Sequence, residues 1–202
     1  MARRIPAPWF ATACVLLFAT LAAQPAQARE RAFDAGGVEG AQGRYGVVFP
    51  ASSAEPKPAI TPGALNPQVT QANIRSTICV PGYTRGIRPP ERYTEGLKRE
   101  GVRAYGYADR RLRDYEEDHL ISLELGGSPD SPRNLWPEPH HVIGGWGSYA
   151  KDRLENRLHR LVCRGRLSLA QAQYDISHDW IAAYRKYVGP RPPARRGHGY
   201  AG

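Results

Sequence analysis

An aspartate, a histidine and an asparagine close together in the sequence are the residues best suited to carry chemistry. Asp118 and His119 are adjacent, and Asn134 follows a turn-rich segment. A carboxylate is a hard ligand for a divalent cation, and an imidazole with a pKa of about 6.5 accepts a proton near neutral pH. An amide both donates and accepts hydrogen bonds. The trio indicates acid–base chemistry around a bound ion, with a buried Asp–His ion pair as the alternative.

The element predicted to position these residues is a loose β-hairpin. Residues 115–125 end in a pair of glycines and are typical of a short strand that enters a turn. The Ser/Pro/Asp cluster at 128–132 leads to a return strand at 134–136, which a proline ends. Because neighbouring strand residues face opposite ways, Asp118 and His119 can cooperate only at a bent strand end or around one ion.

The predicted elements on both sides of the hairpin complete an α+β domain. A glycine-rich loop at 140–147 precedes a helix from Ser148 to about Gly165, and a second helix covers 168–188. Before the hairpin we expect a strand at 77–80, a helix at 91–100 that Gly101 ends, and an aromatic strand at 104–107. The second C-terminal helix should bury an apolar stripe that comprises Leu169, Ala172, Ile176, Trp180, Ala183, Tyr184 and Tyr187.

The chain of 202 residues divides by composition into four parts. Residues 1–28 have the basic start, short apolar run and small residues of a secretory signal peptide, so no stable membrane span is expected after cleavage. Residues 29–71 are rich in Pro, Ala and Gly and are predicted to be a flexible tether. The folded domain is expected at 72–190, followed by a basic flexible tail at 191–202. We expect a periplasmic or secreted protein.

The three cysteines indicate one disulfide. Cys14 leaves with the signal peptide, so Cys79 and Cys163 remain in an oxidising compartment, where we expect a bridge. Two buried free thiols are the alternative. Neither cysteine belongs to a closely spaced pair, so a structural zinc site of the paired-cysteine kind is not expected.

The positive charge indicates a polyanionic partner. The formal net charge is +9, and it becomes +7 without residues 1–28, which hold two arginines and no acid. Such a balance suits nucleic acid, although an anionic membrane surface or plain solubility would also explain it. Arginines interleaved with tyrosines at 104–113 could follow a phosphate backbone, or simply form a solvated basic face.

Three ordered motifs resemble the HNH (ββα-metal) endonuclease family, most closely its exported bacterial members. They read Tyr-Glu-Glu-Asp-His-Leu-Ile-Ser-Leu-Glu-Leu-Gly-Gly at 115–127, Asn-Leu-Trp-Pro-Glu at 134–138 and Lys-Asp-Arg-Leu-Glu at 151–155. The resemblance extends from about Cys79 to Tyr187. It implies a hairpin and helix around one metal ion and hydrolysis of phosphodiester bonds.

The resemblance also assigns roles to the trio. His119 would be the general base, Asp118 a metal ligand, and Asn134 the residue that ties the loop to the base. The implied ion is Mg²⁺ or Mn²⁺, with Zn²⁺ as the alternative, and the implied substrate is nucleic acid, with DNA expected first.

The third position of the family pattern is ambiguous. Many members place a histidine or asparagine at the start of the helix, where this chain offers Asp152 as the favoured second metal ligand. His140, His141 and Asn156 are the other candidates. A protein that keeps this fold and binds nucleic acid or an envelope partner without catalysis is the competing function, and a purely structural metal is a third.

Overall fold

The structure is a computed structural model that describes residues 47–193. The expected signal peptide at 1–28 lies outside the described residues, as does most of the predicted tail. Within the described part a two-stranded antiparallel sheet packs among helices, which confirms the α+β class. The elements are α1 Tyr83–Ile87, α2 Glu91–Ala104, β1 Tyr115–His119, β2 Leu135–Pro139, α3 Ser148–Cys163, α4 Leu169–His178 and α5 Trp180–Tyr187.

The hairpin is present, but its strands are placed differently from the prediction. Strand β1 ends at His119, which pairs with Leu135 of β2, and the apolar run after it is a loop with a 3-10 turn at Leu123–Leu125. The leucines and isoleucine of that run are all buried, so the run packs into the core as a whole and does not alternate between two faces. Strand β2 continues through Pro137, because a two-stranded sheet consists of edges, where proline is tolerated.

The prediction of two strands before the hairpin is wrong. Residues 77–80 form turns, and residues 104–107 form the end of α2 and a turn. Helix α2 also runs through Gly101, which was predicted to end it. A Cβ atom at Gly101 would lie 2.8 Å from Cδ of Pro137, so the glycine allows α2 to approach β2 closely.

The predicted tether differs from the structure in the part that is described. Phe49 is buried, donates its backbone N–H to the carbonyl of His141 and packs its ring 5.0 Å from that of Tyr115. Further on, the carbonyl of Ala54 accepts a hydrogen bond of 2.8 Å from Trp180 Nε1. Isolated core residues like these have no period, so composition alone indicated a tether.

The C-terminal helical region contains a break that the prediction lacked. Asp179 has φ −159° and separates α4 from α5, and its side chain accepts a hydrogen bond of 2.7 Å from the Ala182 N–H. Six members of the predicted apolar stripe are buried, whereas Tyr187 is only partly buried. The expected disulfide between Cys79 and Cys163 is present, with the Cα atoms 5.6 Å apart. No helix within residues 47–193 is long and apolar enough to cross a membrane.

Candidate active site

His119 is held in one orientation at the end of β1. Its side chain is buried, and Nε2 lies 2.8 Å from the carbonyl oxygen of Pro129. A carbonyl can only accept, so Nε2 carries the proton and Nδ1 keeps its lone pair. Burial lowers the pKa of His119, with the Pro129 carbonyl and Asp118 acting in the opposite direction. His119 is therefore a neutral imidazole with a defined basic nitrogen.

Asn134 ties the loop that supplies the Pro129 carbonyl. The Asn134 side chain accepts a hydrogen bond of 3.0 Å from the Ile121 N–H and donates bonds of 3.0 Å to the carbonyls of Ile121 and Ser128. Gly127 makes this closure sterically feasible, because a Cβ atom there would lie 1.7 Å from the Ile121 carbonyl oxygen. Asn134 thus acts on His119 through the loop and not through a hydrogen bond to the imidazole.

Lys151, the first residue of the third motif, is a central residue of the site for which no role was predicted. It is fully buried in α3, and its ammonium group donates hydrogen bonds of 2.5 Å to Asp118 Oδ2 and 2.8 Å to the His119 carbonyl. A third bond goes to Glu155, whose other carboxylate oxygen accepts a bond of 3.0 Å from Ser122 Oγ. All three protons of the ammonium group are used. Lys151 thereby fixes both members of the Asp118–His119 pair.

The charges of this cluster shift the pKa values of its members. Burial acts to raise the pKa of Asp118, but the Lys151 ammonium outweighs it and the net pKa is lowered. Burial acts to lower the pKa of Lys151, but Asp118, Glu155 and Glu138 outweigh it and the net pKa is raised. Asp118 and Lys151 are therefore both charged at neutral pH.

Glu138, the last residue of the second motif, is a second buried residue for which no role was predicted. It lies in β2, is 1% exposed, and no hydrogen-bond donor within the described part of the chain reaches either of its carboxylate oxygens. Burial raises the pKa of Glu138 well above its usual value, Lys151 opposes this rise, and Asp118 adds to it through its charge and through a hydrogen bond that protonated Glu138 donates. Buried acids without donors are uncommon, and strongly shifted pKa values concentrate at functional sites.

Three further carboxylates interact electrostatically with Asp118. Asp152 lies in the first turns of α3, and its pKa is raised by burial and by the Asp118 charge, with Arg88 opposing. Burial together with Asp118 and Asp152 raises the pKa of Glu116 to about 7. Burial likewise raises the pKa of Glu117 to about 8, with a further contribution from Asp118. Carboxylates that raise one another's pKa repel one another when ionised, and a bound cation reduces this repulsion. Oxygen donors suit Mg²⁺ or Mn²⁺.

The oxygen ligands for such a cation do not converge on one point in this conformation. Among residues 47–193, Asp118 and Asp152 do not converge with a third Asp, Glu or His side chain to within 4.8 Å. The other predicted candidates are engaged elsewhere. His140 Nδ1 lies 2.9 Å from Ser148 Oγ, the His141 ring lies 6.1 Å from that of Tyr149, and Asn156 donates to the Asp152 carbonyl.

The one convergent His/Cys/Asp/Glu group found among the described residues is at the disulfide. Cys79, Cys163 and His159 have ligand atoms within 4.8 Å of one another, as the ligands of a metal ion would, but the two sulfurs are joined in the disulfide. The thiolate is the form that binds metals, so the bridged sulfurs are not ligands. The three residues are brought together by the fold, and their spacing in the sequence does not indicate that they are close.

No family model, curated protein or solved structure matches this chain. The resemblance to HNH endonucleases therefore depends on the three motifs themselves. The side chains around His119 are the basis for any assignment of activity.

Proposed function

We propose that this protein is a metal-dependent endonuclease that hydrolyses phosphodiester bonds of DNA, with His119 as general base. The orientation of His119 carries the proposal. Its Nε2–H is committed to the Pro129 carbonyl, and the described residues offer no hydrogen bond to Nδ1. A buried, neutral imidazole with one defined basic nitrogen beside a carboxylate suits proton removal from water.

The roles of the other side chains follow from their contacts. Asp118 and Asp152 would hold a divalent cation, Mg²⁺ or Mn²⁺ with Zn²⁺ as the alternative. When bound, that ion neutralises charge on the scissile phosphate and the leaving oxygen. Lys151 holds the Asp118 carboxylate in place and Asn134 holds the loop, so both act as positioning residues. The basic balance of the chain suits a nucleic acid substrate.

The competing function is nucleic-acid binding without catalysis. The ion pair between Lys151 and Asp118 favours it, because Lys151 already supplies a positive charge where the metal would bind. Against it, a binding protein has no need of an oriented, buried imidazole. The disulfide supports our proposal that the protein works in the periplasm or outside the cell.

Nicking of supercoiled plasmid distinguishes the two functions. We expect wild-type protein to nick DNA with Mg²⁺ or Mn²⁺ and to lose this activity in EDTA. The variant Asp118→Asn should be defective, whereas Asp179→Asn, in the exposed break between α4 and α5, should cut like wild type. DNA binding with no cleavage in any divalent metal would contradict the endonuclease and favour the binding protein.

A further inference from the structure

The C-terminal half of α2 carries arginines around an open cavity of about 480 Å³. Arg99 and Arg103 are one helical turn apart on α2, and Arg110 follows the helix. Val102 and Leu112 form the apolar part of the lining. No lining residue is a base or a nucleophile, so the cavity is suited to binding and not to chemistry.

These arginines are not neutralised by acidic partners. Within the described part of the chain, Arg99 and Arg103 form no ion pair and no side-chain hydrogen bond, and Glu100 between them forms no ion pair. Arg110 Nη1 donates a bond of 3.0 Å to the Val102 carbonyl, which leaves further donors of its guanidinium group available. Nearby Arg111, in contrast, pairs with Asp109 and Asp114.

We propose that this cavity binds phosphate groups of a nucleic acid backbone, a proposal that rests on the proposed function. Guanidinium groups match phosphate oxygens with paired hydrogen bonds, and exposed cations without acidic partners supply most of the affinity for a nucleic acid backbone. None of the large apolar side chains that are exposed in residues 47–193 lines the cavity. A lipid surface would need such side chains for insertion, so the lining favours nucleic acid.

The location of α2 connects this cavity to the proposed active site. Helix α2 packs against both strands of the hairpin, including β1, which carries His119. Gly101 of α2 faces β2, because a Cβ atom there would lie 2.8 Å from Cδ of Pro137. Arg99 and Arg103 are exposed to solvent on the same helix. DNA bound at the cavity would therefore lie on the helix that supports the catalytic strand.

The test is binding of a fluorescein-labelled DNA duplex, measured by anisotropy in EDTA so that cleavage cannot occur. The double variant Arg99→Gln/Arg103→Gln should bind more weakly. Its plot of log K against log salt concentration should be less steep by about 1.8, or about 0.9 for each phosphate that the variant no longer neutralises. The control Arg164→Gln/Arg166→Gln removes the same charge from two exposed arginines at the end of α3 and should retain the wild-type slope.

Three results would overturn the inference. The first is a salt slope of the α2 variant equal to that of wild type, and the second is a salt slope reduced equally in the control variant. The third is an α2 variant that no longer binds phosphatidylglycerol vesicles but binds DNA like wild type. Thermal melting should show both variants folded, because the four arginine side chains form no ion pair within residues 47–193. If the α2 variant loses DNA binding but wild type never cleaves, the endonuclease proposal fails alone. If wild type cleaves and the α2 variant binds normally, the cavity proposal fails alone.

Discussion

Replacement of Lys151 by methionine should destabilise the protein by about 3–5 kcal/mol. Lys151 is fully buried and binds Asp118 and Glu155, so methionine leaves the ionised Asp118 without its cation and the buried carboxyl group of Glu155 without its Lys151 donor. Removal of one partner from a buried ion pair typically costs this amount, because the remaining charge is uncompensated. The free energy of unfolding would be measured in urea by the fluorescence of the buried Trp136 and Trp180.

A second substitution tests whether the cost has this origin. Glu155→Gln replaces the buried carboxyl group that Lys151→Met leaves without its donor, so the double variant should lose about 1–3 kcal/mol less than the sum of the single variants. Lys186→Met breaks an exposed pair with Asp175 and should leave the urea midpoint close to that of wild type. A loss below about 1 kcal/mol for Lys151→Met, or strict additivity with Glu155→Gln, would refute the ion cluster as described.

Three further predictions concern the fold around the site. Burial and Asp179 raise the pKa of Glu55 to about 7, so the folded state holds the proton more tightly than the unfolded state and the free energy of unfolding falls between pH 4.5 and 7. Glu55→Gln should therefore stabilise the protein by about 1 kcal/mol at pH 8, after allowance for partial exposure, and not at pH 4.5; thermal melts with the same gain at both pH values would contradict this. Cys79→Ser/Cys163→Ser removes a disulfide between residues 84 positions apart, so the free energy of unfolding measured in urea should fall by about 4 kcal/mol. A fall of less than about 1 kcal/mol would count against the disulfide. Gly127→Ala should cost about 3 kcal/mol or more, because its Cβ would collide with the Ile121 carbonyl, whereas Gly86→Ala has open space and should be neutral. Equal melting temperatures for these two glycine variants would show that the loop is not closed as described.

The hairpin and the two C-terminal helical segments could be predicted from the sequence because their turn residues and apolar periods are local. Strand β1 was predicted to extend too far along the chain, since the apolar run after Tyr115–His119 resembles a strand but is a buried loop. The error over residues 47–71 has a similar origin. Phe49 and Ala54 enter the core singly, through contacts with distant elements that no local pattern contains.

The candidate site was only partly predictable for the same reason. Asp118, His119 and Asn134 stand out by residue type, and the structure brings them to one end of the hairpin. Lys151 lies within the third motif but does not stand out by type, although it shares a helical face with Leu154 and Leu158. Its burial with Asp118 depends on how α3 packs on the hairpin, which is a tertiary property.

The most direct test of the central claim compares two histidine variants in the plasmid nicking assay with Mn²⁺. His119→Ala removes the proposed base, and His178→Ala removes an exposed histidine of α4 as the control. The expected result is a rate at least about 100-fold lower for His119→Ala and a wild-type rate for His178→Ala, with both variants folded. Cleavage by His119→Ala at the wild-type rate would contradict the role of His119 as general base.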